Sequence, residues 1–305
     1  MPSSILASGS GAEAGLALER RASSAGRRSS LLRAFPRSVR GTIGAAILLA
    51  MLAAAAGAGW LAPHDPAQAS LRHRLEGPSR TFPLGTDWIG RCLLSRLLYG
   101  IRLTFLVGVV TVAIGGAVGV LLGLLAGYFG GLLETLIMRA ADLLLAFPYF
   151  LLTIVLVAVL GANLTNAILA IAVWTMPHYV RLVRAVVLSV KAREFVDGAR
   201  ALGRPELGIL RRHVLPNCLA PIIVQSSTFC AQNMLMAASL SFLGLGAQPP
   251  SPELGAMLGT GRAYLRAAPH VVAVPALGIL LGVLGVNCLG DALRDALDPR
   301  SGARS

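Results

Sequence analysis

The stretch IRLTFLVGVVTVAIGGAVGVLLGLLAG, residues 101–127, decides what kind of molecule this is. It holds a single charge, Arg102, in a run long enough to cross a hydrocarbon core of ~30 Å at 1.5 Å rise per residue. Four more stretches obey the same arithmetic, Thr42 to Leu61, Leu136 to Leu160, Asn217 to Leu240 and Val271 to Leu289, and a fifth, Leu164 to Tyr179, is rather short. Only Gly161-Ala162-Asn163 divides the third span from the fourth.

Composition agrees with that reading. Of 305 residues, 55% are hydrophobic and 13% charged, and the mean hydropathy is +0.70. A soluble globular chain carries about 25% charged residues, so a soluble enzyme domain, a disordered chain and a disulfide scaffold are excluded. The predicted architecture is all-α, a polytopic membrane protein of six transmembrane helices. Its plan is a disordered Arg-rich tail at 1–40, a first helix at 41–62, an outer loop at 63–100, a helical core at 101–291 and a tail at 292–305. Cys92, Cys218, Cys230 and Cys288 lack any C-x-x-C spacing, which predicts neither a metal site nor a disulfide framework.

The net charge of +13 reads as topology, with no base-reading module to suggest nucleic acid. With both termini cytoplasmic, the inner side collects the seven tail arginines, Arg139, eight basic residues in 181–213, and Arg294, Arg300 and Arg304. The outer side keeps Arg72, Arg74, Arg80, Arg91, Arg96, Arg102, Arg262 and Arg266, more than the positive-inside rule favours.

Inside the spans, Gly115, Gly119, Gly123 and Gly127 recur every four residues, and a small-residue stripe of this kind lets helices approach closely. Packing within the chain and a dimer interface both fit. Gln225, Ser226, Ser227, Gln232 and Asn233 cannot face lipid cheaply, so they serve as interhelical glue or line an aqueous path. Arg139 and Asp142, three apart, are expected to pair on the third helix.

The informative loop is cytoplasmic, residues 190–216. Phe195, Ala199 and Leu202 share one face of a short amphipathic helix that Gly203 closes. Pro205 suits the first turn of a second helix, which Leu215-Pro216 ends at the membrane. Asp197-Gly198-Ala199, three residues, Gly203, nine residues, then His213-Val214-Leu215-Pro216 resembles the EAA loop of ABC-type import permeases. Residues 194–203 are similar to the version in the dipeptide/oligopeptide/nickel permease family. So are Leu84-Gly85-Thr86-Asp87 with Gly90-Arg91, Phe242-Leu243-Gly244-Leu245-Gly246 with Gln248-Pro249-Pro250, and Gly290-Asp291 with Leu293-Arg294-Asp295. The resemblance spans roughly residues 35–300 and points to the C-type member of a permease pair. Asp197-Gly198 stands for the usual Glu-Ala, Cys92 for a frequent Asp and His270 for a frequent Trp.

The resemblance implies a type I ABC importer permease fold and a coupling loop that docks into a cytoplasmic ATPase. Glu194, Asp197, Gly198, Ala199 and Gly203 are expected at that docking surface, with Leu215 and Pro216 as the re-entry to the membrane. It further implies a homologous permease in a heterodimer, two ABC ATPase subunits carrying ATP and magnesium, an extracytoplasmic solute-binding protein, and a bacterial inner-membrane location. No catalytic residue, metal or bound cofactor is expected. The residues agree: there is no G-x-x-x-x-G-K-[ST], and the sole lysine, Lys191, follows no glycine-rich loop. The cargo is expected to be di- or oligopeptides, with nickel or another small solute as the alternative. A secondary transporter driven by an ion gradient is the reading from a different class.

Overall fold

The computed structural model describes residues 39–297. The expectations for most of the amino-terminal tail and for residues 298–305 lie outside them. The described chain is helical, with α1 at Val39–Ala56, α2 at Leu93–Phe129, α3 at Gly131–Leu145, α4 at Tyr149–Leu160 and α5 at Leu164–Lys191. These are followed by α6 at Glu194–Ala201, α7 at Leu215–Phe242, α8 at Leu254–Gly261 and α9 at His270–Leu297.

Among the described residues, four helices are long and apolar enough to cross a membrane: α2, α5, the run Glu206–Phe242 and α9. The bent pair α3 and α4 makes a fifth, and the apolar Gly41–Ala56 is shorter. The third expected span is therefore not one helix. It is bent by 93° between Leu145 and Tyr149, and α4 alone, 12 residues, is only about 18 Å long. Pro148 is the cause, because its ring disfavours the helical conformation at Phe147. The fourth span departs in the other direction. It runs on past Tyr179 to Lys191 as 28 continuous residues, about 42 Å, tolerating Pro177 inside.

That extra length carries Arg181 and Arg184 beyond the apolar half of α5, where they capture α3. Arg181 donates to Asp142 at 2.6 Å, and Arg184 Nε to Glu134 at 2.6 Å. The expected Arg139–Asp142 pair is thereby corrected. Asp142 is held from the neighbouring helix, and Arg139 is exposed.

The tightest seam joins α2 to α5. A Cβ at Gly115 would lie 2.7 Å from the Ala172 carbonyl oxygen, and one at Gly119 2.5 Å from that of Met176. At Gly123 it would lie 2.8 Å from the Val180 oxygen, and at Gly127 2.8 Å from Val187 Cβ. The glycine stripe is intrachain packing.

At the end of the bundle where α2 begins, loops fold over the helix tips around one buried carboxylate. Asp87 accepts from the Ile89 and Arg91 N–H groups at 3.0 and 2.9 Å and from Arg91 Nε at 2.6 Å, with Arg96 Nε at 3.7 Å. Arg96 also donates to the carbonyls of Pro66, Pro250 and Ser251, tying the loop before α2 to the loop after α7. Asp87, Arg91 and Arg96 are all buried. Asp87→Asn leaves two buried guanidiniums without a countercharge, so it is expected to cost about 3–5 kcal/mol. Thermal unfolding in mild detergent should register the loss, and an unchanged melting temperature would refute the hub.

Candidate functional site

Residues 190–216 fold as a hairpin seated on the C-terminal ends of α2 and α5. Helix α6 follows from its charges: Glu194 and Asp197 lie in its first turn and Arg200 in its last, each complementing the helix dipole. Gly203, at φ +72°, lets the chain turn left-handed and close the helix. Its N–H reaches the Arg200 oxygen at 2.9 Å and that of Arg204 the Ala199 oxygen at 3.3 Å, a Schellman arrangement that satisfies the last carbonyls. Pro205 occupies the N-cap of the next helical turn, Glu206–Ile209.

From there the helix does not stop at Leu215-Pro216 as the sequence suggests. Residues 210–214 widen into a π-turn, the Leu215 N–H bonds the Leu210 carbonyl, and the chain continues straight into α7. Pro216 has no N–H to give, and the wider turn accommodates it. Asn217 Nδ2 covers the His213 carbonyl at 2.6 Å. The hairpin is thus rooted in α7 without a joint.

Val196, Ile209 and Val214 are fully buried against Val183, Val187 and Val190 of α5 and Leu124 of α2. Burying each such side chain contributes about 1.5–3 kcal/mol. Ala199 joins this inward face, so it is not on the docking surface where the resemblance put it. The outward face holds Glu194, Asp197 and Gly198, with Phe195 43% and Leu202 83% exposed and Leu207 72% exposed beside them. A Cβ at Gly198 would meet nothing within 4 Å.

A polar clamp, missed from sequence, fixes the hairpin to α2. Arg200 Nε donates to Glu206 Oε1 at 2.9 Å across the Gly203 turn, and a weaker contact at 3.3 Å reaches Asp197. The Tyr128 hydroxyl, at the end of α2, donates to Glu206 Oε2, and Lys191 Nζ donates to the Tyr128 carbonyl at 2.6 Å. The Arg200 guanidinium is held still further above its ordinary range by its hydrogen bonds to Glu206. The opposite charges at 200 and 206 flanking a glycine turn were the available signal. Nothing local announced Tyr128.

Within the bundle, the polar residues of α7 divide. Asn233 is fully buried, its amide donating to Thr111 Oγ1 of α2 at 3.1 Å and Thr175 Oγ1 of α5 at 3.2 Å. Ser226 Oγ lies 2.8 Å from the Tyr179 hydroxyl. Both make interhelical bonds, the first of the two roles expected of these residues. Gln225 is half-buried, whereas Gln232 is exposed on the same stripe as Thr228, Leu235 and half-buried Ser239. Alongside, Phe150, Leu235, Phe242 and Ile279 line an open apolar groove of about 720 Å³.

Comparison with known proteins bears on this geometry. Residues 119–302 match the family described as "Binding-protein-dependent transport system inner membrane component". A di/tripeptide transport system permease protein, DppC of Pseudomonas aeruginosa, is 47% identical over 247 residues, 79% of this chain and 82% of that protein. The dipeptide transport system permease protein DppC of Haemophilus influenzae is 45% identical over 247 residues, 79% and 84% of the two chains. A glutathione transport system permease protein, GsiD of Escherichia coli O6:K15:H31, is 45% identical over 269 residues, 88% and 89%. A chain of the inward-facing MetNI methionine ABC transporter superposes with a TM-score of 0.54 over 66% of this chain and 96% of its own, at 19% identity, a likeness of fold.

Proposed function

This chain belongs to the family of binding-protein-dependent transport system inner membrane components, as the permease subunit of an ABC importer and not an enzyme; we propose that its cargo is di- and oligopeptides. The relatives named above for di/tripeptides, dipeptides and glutathione support that cargo class. Membership of the family sets aside the secondary transporter driven by an ion gradient.

The observation that carries the mechanism is the hairpin clamped between α2 and α7. A rigid element rooted without a joint in one spanning helix, and tied by Glu206 to the end of another, transmits a push from below as tilt of both. In this reading two cytoplasmic ATPase subunits holding ATP and magnesium supply the push, and this chain binds no cofactor. Glu194, Phe195, Asp197, Gly198 and Leu202 form the docking face, and Gly203 sets its angle. Leu215 and Pro216 lie in the continuous helix that carries the motion upward. The exposed Gln232 stripe faces the translocation path, beside a homologous permease that completes the heterodimer. A solute-binding protein delivers cargo from outside. The assembly sits in a bacterial inner membrane with both termini cytoplasmic.

The test is reconstitution of both permeases with their ATPases and solute-binding protein in vesicles, with uptake of a labelled tripeptide as the readout. Uptake is expected to require ATP, to survive a protonophore, and to be competed by unlabelled dipeptide and not by nickel ion. Uptake by this chain reconstituted alone, or competition by nickel alone, would overturn the respective part of the reading.

A further inference from the structure

Arg102 is the single charge in the apolar run 101–127, and the fold leaves it exposed on the flank of the bundle. Leu106 and Val109, one and two turns further along the same face of α2, are exposed beside it. Between this face and α1 lies a cleft of about 350 Å³, walled by Leu52, Ala55 and Ala56 of α1 and by Phe105 and Arg102 of α2. The Arg102 guanidinium is the one charged group in that wall. Among the described residues the ion pairs at this end of the bundle are His73–Glu76, Arg91–Asp87 and Arg96–Asp87, and Arg102 belongs to none of them.

The depth of the cleft follows from the helices that form it. The run 101–127 measures about 40 Å as a helix, about 10 Å more than the hydrocarbon core, so Arg102 in its first turn stands at the border of that core and not at its centre. Helix α1 passes it in the opposite direction: Ala55 and Ala56 share the cleft with Arg102, whereas the His64 N–H reaches Ser95 Oγ at 3.2 Å. Trp60 falls between those two levels and is 94% exposed. An exposed tryptophan a turn above an exposed arginine, with apolar side chains below both, is the pattern that a lipid–water interface selects. An arginine turned to lipid is costly until its head meets an anion. The cleft itself offers none, and at this depth the anion within reach is the phosphodiester of a lipid. A helix of another chain seated here would have to bring a carboxylate of its own.

We infer that the cleft between α1 and α2 is a binding site for one anionic phospholipid, its phosphate paired with Arg102 and an acyl chain lying against Leu52, Ala56 and Phe105. A guanidinium fork matches phosphate oxygens two at a time, which gives the head its specificity, and the chain adds apolar burial that a free phosphate lacks. The inference needs only that this chain spans a membrane. It holds for either direction of insertion and for any cargo.

The test takes the complex that co-purifies with this chain in mild detergent, strips its lipid, titrates it with phosphatidylglycerol and counts the lipid retained by native mass spectrometry. Arg102→Leu is expected to weaken the binding of one phosphatidylglycerol at least about tenfold, the loss of one charge-assisted contact. Ala56→Trp should displace the same lipid by filling the cleft while the charge stays in place. The melting temperature of each stripped variant, expected to match that of the stripped wild type, serves as the folding control. Phosphatidylcholine should bind the wild type at least about tenfold more weakly, and glycerol phosphate, the head without its chains, should not compete at equal concentration. Retention of phosphatidylglycerol by Arg102→Leu equal to that of wild type overturns the inference. So does competition by glycerol phosphate, which would make the cleft a site for a soluble anion. Dissociation of another subunit from Arg102→Leu with lipid retention intact would overturn it as well, by giving the arginine a protein carboxylate for a partner.

Discussion

Replacing Phe195 and Leu202 together by glutamate is expected to abolish ATP-driven uptake while the protein still inserts and still associates with its partner permease. Both side chains are apolar, both stand on the outward face of α6, and neither contributes to the buried cluster beneath it. Leu202 is 83% exposed at the end of α6 and Phe195 43% exposed beside it. On the proposed function, both anchor in a pocket of the ATPase. Losing an anchor of this kind costs about 2 kcal/mol, roughly 30-fold in affinity, and two together on the order of a thousandfold. The fold should survive because Val196, Ala199, Ile209 and Val214 hold the hairpin down from the other side. The measurement is co-purification of the ATPase in mild detergent beside uptake in vesicles. Retained co-purification with normal uptake would remove the docking role from this face.

The hairpin was the most legible part of the sequence because its determinants are local. Gly203 closes α6 by bonding Arg200 three residues back while Arg204 bonds Ala199; the expected apolar face is split, with Ala199 buried and Phe195 and Leu202 exposed. The clamp was not legible for the opposite reason. Tyr128 and Glu206 are 78 positions apart, and only the fold brings them together. The polar residues of α7 were legible only in part. Polarity inside a membrane span says that Gln232 and Asn233 avoid lipid, but they are neighbours in sequence pointing about 100° apart on a helix. One meets two threonines and the other faces outward. Thr111 and Thr175 drew no notice, since a threonine in an apolar span usually bonds its own helix, as both also do here at 2.8 Å. The broken third span was legible after all: Phe147-Pro148 stands inside the apolar run, and a hydropathy argument passes over a residue that a backbone argument stops at.

A loss of stability is expected from a side chain added at the α2–α5 seam, as at Gly119. Adding a single methyl group there would set it 2.5 Å from the Met176 carbonyl oxygen and 2.6 Å from Tyr179 Cβ. Neither neighbour is the free end of a flexible chain, so the contact cannot be relieved by a rotamer change. Nor can α2 step aside locally, because Gly115 and Gly123 hold the same close approach one turn away on either side. Overpacking of this kind costs about 1–3 kcal/mol for a methyl group and more for a larger side chain. Gly119→Ala should therefore lower the unfolding temperature in detergent, and Gly119→Leu should prevent recovery of folded protein. Gly116→Ala supplies the control, since its methyl would lie 3.4 Å from the Tyr179 ring, in ordinary contact. In a helix interior alanine gains up to about 1 kcal/mol over glycine, so Gly116→Ala should be neutral or stabilising. If both alanine variants behave alike, helix propensity explains the result and the seam is not what holds α2 to α5. If they split, the same seam lets the hairpin, seated on both helices at their C-terminal ends, move them as one body.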